Sequence, residues 1–164
     1  MAVKEILTAP EHYEYLSSPS TSMLDTESGL LADLIRDLSD TMRCHRSLGL
    51  AAPQIGVKSR VFVVDVTHRG YAPRIFINPI ILLKTQEYEV PEACESFPGA
   101  IKRVQRYRKI TVEYRDENNK KHLKEFAGLL AQAIQHEYDH LNGKLLFSSV
   151  EDYENHRIDR RKRA

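Results

Sequence analysis

Residues 128–141 contain no proline, and Leu130, Ile134 and Leu141 recur there at spacings of four and seven, with Leu129 and Ala133 beside them. That periodicity predicts an amphipathic helix whose apolar stripe faces a core. Gly143, just past the last periodic residue, marks its stop. The same stretch carries His136-Glu137-Tyr138-Asp139-His140, an H-E-x-x-H pattern. Histidines four apart share one helix face, so both imidazoles can reach one metal ion. Glu137 flanks that face and can act as general base on a water beside the ion. A core or surface helix that happens to hold two histidines is the competing reading. To exclude it, the rest of the chain must supply a third ligand, an oxyanion stabiliser and a substrate groove.

Bulk properties narrow the field. The 164 residues are most simply one domain, 1–164, long enough for a sizeable core. A net charge of +1 gives no whole-chain argument for DNA or an anionic membrane. No apolar run approaches the ~18 residues of a membrane span. Residues 1–10 lack the apolar region of a secretory signal. Two cysteines, Cys44 and Cys94, do not make a disulfide framework. A cytoplasmic protein with reduced thiols is the expectation.

Residues 1–24 read as mostly irregular, with a short helix around 11–16. Asp25 or Thr26 can cap the next element. Leu30, Leu31, Leu34, Ile35, Leu38 and Met42 then predict an amphipathic helix over 27–45. Cys44 at its end reads as a small, half-buried apolar residue. Residues 47–56 are small residues with a proline, which predicts a tight loop where backbone approaches a ligand. Gln54 in that loop either donates to a developing oxyanion or is a solvent-facing turn residue. Residues 60–66 and 74–83 are β-branched and aromatic and predict strands, joined through His68-Arg69-Gly70. Asn78-Pro79 predicts an edge strand, bulge or break. Residues 87–90 read as another short strand. In the loop 92–99, Cys94 is either a thiolate ligand for zinc or ferrous iron or a core cysteine. Residues 109–115 and 121–126 alternate with period two about an Asp116–Asn119 turn, a half-exposed hairpin. Beyond residue 150, acidic residues precede basic ones, an order that suits a C-terminal helix.

Three segments stand in one order: G-L-A-A-P-Q-I-G (49–56), E-A-C-E-S-F-P-G (92–99) and Q-H-E-Y-D-H-L-N-G (135–143). Together with F-I-N-P at 76–79 they resemble the peptide deformylase family. The resemblance implies an α+β fold with antiparallel β-sheets around the central H-E-x-x-H helix, plus an N-terminal amphipathic helix and a C-terminal helix. It implies removal of the N-terminal formyl group from formyl-methionyl nascent chains in the cytoplasm. Cys94, His136 and His140 match the protein ligands of one divalent metal ion, usually Fe2+, with Zn2+, Ni2+ or Co2+ able to take the site. Glu137 matches the catalytic acid/base. Gln54 and the backbone N–H of Glu95 match the oxyanion donors. Leu48 and Gly49 match the stretch that meets the peptide, and Gln132 and Ala133 the wall of the methionine pocket.

Four positions depart from the family pattern. Ser47 and Ala93 stand where glycine is usual, Glu95 where leucine is commonest, and Gln132 where an aliphatic residue is usual. The Glu95 side chain either points to solvent or lines the groove mouth and disfavours acidic residues after the methionine. Gln132 either faces water or makes the pocket wall more polar. Glu95 also leaves open a catalytically weak or silent homologue that binds metal or formyl-peptide. A zinc metallopeptidase is disfavoured, because its third ligand lies after H-E-x-x-H, whereas Cys94 lies before it. The basic end, Arg157 to Arg163, is either a solvated face or a contact for an anionic partner such as the ribosome.

Overall fold

The computed structural model describes residues 3–24, 28–68 and 72–158. Five antiparallel strands form one sheet in the order β1-β2-β3-β4-β5. They are β1 (Gly49–Ala51), β2 (Val61–Val64), β3 (Arg74–Glu92), β4 (Lys102–Arg115) and β5 (Lys121–Ala127). Four α-helices accompany them among the described residues: α1 (Tyr13–Leu16), α2 (Ser28–His45), α3 (Gly128–Leu141) and α4 (Val150–His156). None of the described helices is long and apolar enough to cross a membrane.

β2 carries a helix on each face. All four of its residues are buried. Val61 and Val63 pack with Leu34, Leu38 and Met42 of α2. Phe62 and Val64 pack with Ala131, Ile134 and Leu141 of α3. A strand covered on both faces reads as a continuous apolar run rather than an alternating one. Leu34, Leu38 and Met42 of α2 and Ile134 and Leu141 of α3 close the core as predicted, which gives the α+β arrangement expected from the sequence, whereas Leu30 and Leu129 of the predicted stripes are exposed. The cap at Asp25 or Thr26, the turn residues Arg69 and Gly70, and the basic residues Arg160 to Arg163 lie outside the described residues.

The sheet departs from the sequence reading in three places. Residues 47–56 are not a plain loop: they contain β1 and a 3-10 turn over Ala52–Ile55. The predicted strands 74–83 and 87–90 are one strand of 19 residues. Asn78-Pro79 does not end it, because the ladder to β4 shifts between Ile77 and Ile80 as a bulge. Asn78 sits there at φ 49° and pins the N-terminal segment, exchanging 2.8 and 2.9 Å hydrogen bonds with the Met23 backbone. β4 likewise begins at Lys102, well before residue 109. The extra lengths of β3 and β4 form an arm that carries Glu92 and hands the chain to the loop holding Cys94. Cys44 also differs from its reading: it is exposed at the end of α2.

Candidate metal centre and substrate cavity

α3 brings His136 and His140 onto one face one turn apart, their rings 5.1 Å apart. The loop after β3 delivers Cys94 to the same point. One ligand atom from each of Cys94, His136 and His140 lies within 4.8 Å of the others. Cys94 Sγ is 3.3 Å from His140 Nε2. One thiol and two imidazoles that converge with no fourth ligand among the described residues suit a divalent ion with an open position. The described residues thus hold one site for such an ion. Cys94 satisfies both of its sequence readings, because it also packs in a small core with Phe97, Phe147 and Tyr153.

The outer side of the site is charged and buried. His136 Nδ1 lies 2.9 Å from Glu92 Oε1, which turns its Nε2 toward Cys94. Arg106 donates to both Glu92 oxygens at 2.7 and 2.8 Å and to Asp139 at 2.7 Å. Glu92 and Arg106 side chains are each only 5 % exposed. Burial works against the Glu92 carboxylate, but the Arg106 and His136 hydrogen bonds outweigh it and hold its pKa at about 2. Burial also acts against the Arg106 charge, and its two carboxylate partners restore it. Burial keeps His140 well below its ordinary value, in the neutral form a metal requires.

Glu92 and Arg106 were not singled out from sequence. Glu92 stands two residues before Cys94 in the motif itself, whereas Arg106 has no local signal. It opposes Tyr88 in the ladder, so its pairing with Glu92 is made across the arm.

Glu137 is 4 % exposed, and its Oε2 has no hydrogen-bond partner among the described residues. Burial pushes its carboxyl up to about 7, the range of a general base near neutrality. Gly49 makes room for it: a Cβ there would stand 2.9 Å from Glu137 Cγ and Oε1. Gln54 is buried, not solvent-facing. The Ala51 N–H donates to its Oε1 at 2.9 Å, and its Nε2 donates to Ser96 Oγ at 3.2 Å and lies 3.8 Å from Cys94 Sγ. Ser96, fully buried, is thus a third residue that sequence reading passed over.

Glu92, Cys94, His136, Glu137, Gly49 and Gln54 line one cavity of about 570 Å³, which also meets Leu48, Glu95, Gln132 and Ala133. Glu95 is at its rim, 41 % exposed and 3.9 Å from His45 Nδ1, so it both lines the mouth and reaches solvent. Gln132 does not simply face water: it is half-buried and bonded to Tyr88 and Glu92. β1, on the opposite wall, is the outer strand of the sheet.

The profile of the polypeptide deformylase family matches residues 3–156. The chain belongs to the polypeptide deformylase family. It is 42 % identical over 153 residues to peptide deformylase 1 of Bacillus anthracis, covering 93 % of this chain and 96 % of that protein. The crystal structure of a peptide deformylase from Legionella pneumophila superposes with a TM-score of 0.81 at 39 % identity, covering 88 % of this chain and 84 % of the other. A Met-Ala-Ser-bound peptide deformylase from Acinetobacter baumannii gives a TM-score of 0.80 at 27 % identity, covering 89 % and 98 %. The match to the deformylase family spans every strand, every helix and all three cavity-lining motifs.

Proposed function

We propose that this hydrolase removes the formyl group from the N-terminus of formyl-methionyl nascent chains, with residues 1–164 acting as one catalytic domain. The observation that carries this reading is the Cys94–His136–His140 cluster, whose Cys94 and His136 line one cavity together with Glu137 and Gln54. Cys94, His136 and His140 would hold the metal, which when bound would supply Lewis acidity and lower the pKa of water. Glu137 accepts a proton from the attacking water and delivers it to the leaving amine. The C–N bond of the formamide breaks, a C–O bond to water's oxygen forms, and formate and a free N-terminus result. The Gln54 amide and the Glu95 N–H donate to the developing oxyanion. The Glu95 N–H has no other acceptor among the described residues. Each such donor contributes about 2.7–4 kcal/mol in comparable sites.

The peptide adds along Leu48 and Gly49 on the outer edge of β1, so main-chain bonds supply affinity with little demand on downstream sequence. Gln132 and Ala133 wall the first side chain. The tripeptide in the Acinetobacter baumannii structure supports this class of substrate. Fe2+ is the proposed native ion, since a mixed thiolate and imidazole set suits it, with Zn2+, Ni2+ or Co2+ as substitutes. The cytoplasm, where nascent chains emerge, is the proposed compartment, and the basic C-terminal end a contact for the ribosome. Co-sedimentation with ribosomes across a salt series tests that contact; binding unaffected by truncation after residue 156 would remove it.

The deciding experiment is formate release from formyl-Met-Ala-Ser by oxygen-protected, iron-loaded protein, with Glu137→Ala as control and elemental analysis of the same sample. Formate at the control level would refute the function.

A further inference from the structure

The wall of the cavity beside the metal ligands is not uniformly apolar. Gln132 lies one helical turn before His136 on α3 and therefore on the same face. Its Nε2 donates to Glu92 Oε2 at 3.2 Å, and its Oε1 accepts from the Tyr88 hydroxyl at 3.3 Å. The orientation follows from chemistry: an ionised carboxylate only accepts, so the NH2 end must face Glu92. Both partners come from β3, which fixes the amide across the gap between helix and arm. The Gln132 side chain makes no other hydrogen bond among the described residues. One N–H and one lone pair of the amide are left over.

We propose that Gln132 makes this pocket competent for formyl peptides whose first side chain ends in a hydrogen-bond acceptor, methionine sulfoxide above all. The inference rests on the deformylase reading of the cavity. In a formyl peptide the first side chain branches from the atom next to the formamide nitrogen. With the formyl carbon at the metal ligands, that side chain reaches the wall formed by Leu129, Gln132 and Ala133. Leu129 and Ala133 accept the methylene stem. The spare N–H of Gln132 meets the sulfoxide oxygen, which in an apolar pocket would be buried without a partner. The hydrolysis itself is unchanged, and the sulfur keeps its oxidation state. Oxidised initiator methionines thereby remain substrates.

The test compares kcat/KM for formyl-Met(sulfoxide)-Ala-Ser and formyl-norleucine-Ala-Ser, which share length and differ in the acceptor. The wild type is expected to process the two within about tenfold of each other. Gln132→Leu lowers the sulfoxide-to-norleucine ratio by about tenfold, the loss expected for one buried hydrogen bond. Tyr88→Phe, which frees one end of the amide, lowers it by about threefold. Norleucine turnover reports folding; should Gln132→Leu not fold, the unbranched Gln132→Met carries the comparison. A ratio unchanged by either Gln132 variant overturns the proposal. If no formyl peptide releases formate, the function fails separately. Calorimetric binding of Met(sulfoxide)-Ala-Ser against norleucine-Ala-Ser then still decides the pocket, equal affinities in wild type and variant refuting it.

Discussion

α3 buries two faces, and they are built on opposite physics. One face sets Ala131, Ile134 and Leu141 against Phe62, Phe76, Tyr114 and Phe126. Those rings pack at 4.8 Å for Phe62–Phe76 and 4.4 Å for Phe76–Tyr114. The other face sets His136, Glu137 and His140 beside Glu92 and Arg106, nearly all as deeply buried. The apolar face stabilises by area and fit, which are additive and forgiving. The polar face tolerates burial only while each charge keeps its partner. Stability is thus placed on one side of a single helix and reactivity on the other, so substitutions on the two faces should separate fold from function.

The largest separation is expected at Glu137. Glu137→Gln keeps the shape and removes the proton acceptor, so formate release should fall by roughly 10²–10⁴. Thermal stability should hold or rise slightly, because a carboxyl that burial has raised to about 7 is replaced by a neutral amide. Paired steady-state kinetics and thermal melts read both; retained activity would remove Glu137 from proton transfer. Arg106 should instead fail in both respects. Arg106→Met strands Glu92 and Asp139 without their cation, and breaking a buried pair from one side costs about 3–5 kcal/mol. The loosened Glu92–His136 contact should weaken metal affinity about 10–100-fold. Denaturant titration and competition with a chelator check the two halves. The double variant with Glu92→Gln should recover part of the stability but not the metal affinity.

The two faces were also unequally legible. The apolar stripe of α3 and the H-E-x-x-H pattern are local periodicities, so residues 128–141 were readable at once, and α2 by the same logic. β3 was not readable as one strand. Much of its length beyond Ile80 is exposed, giving no alternation to count, and Asn78-Pro79 imitates a terminus where the chain forms a bulge. Cys94 and Gln54 stayed ambiguous because each sits in a segment whose composition fits a turn. What places them side by side is a meeting of three distant segments, which no window along the chain contains. Arg106 was illegible for the same reason, its partners lying 14 and 33 residues away.

A smaller effect tests whether the boundary between the faces is steric. Gly49→Ala would place a Cβ 2.9 Å from Glu137 Cγ and Oε1, the end of a side chain that can swing aside. The fold should lose only about 1 kcal/mol. The displaced carboxylate should lower kcat about 10–100-fold, as about 1 Å misplacements of reacting groups do. An active Gly49→Ala enzyme would mean the carboxylate works from another position.

The smallest effect belongs to the apolar face, where it is diagnostic for its isolation. Ile134 is fully buried, two residues before His136, and pointed into the aromatic cluster. Ile134→Val removes one methylene and should cost about 0.5–1.5 kcal/mol. If the faces are independent, the residues that hold His136 are Glu92 and the α3 backbone rather than the packing behind it, and kcat/KM should match the wild type while the melting temperature falls. A variant that loses formate release in proportion to stability would show that the aromatic core itself sets the ligand geometry. The packing behind α3 would then position the charged face as well.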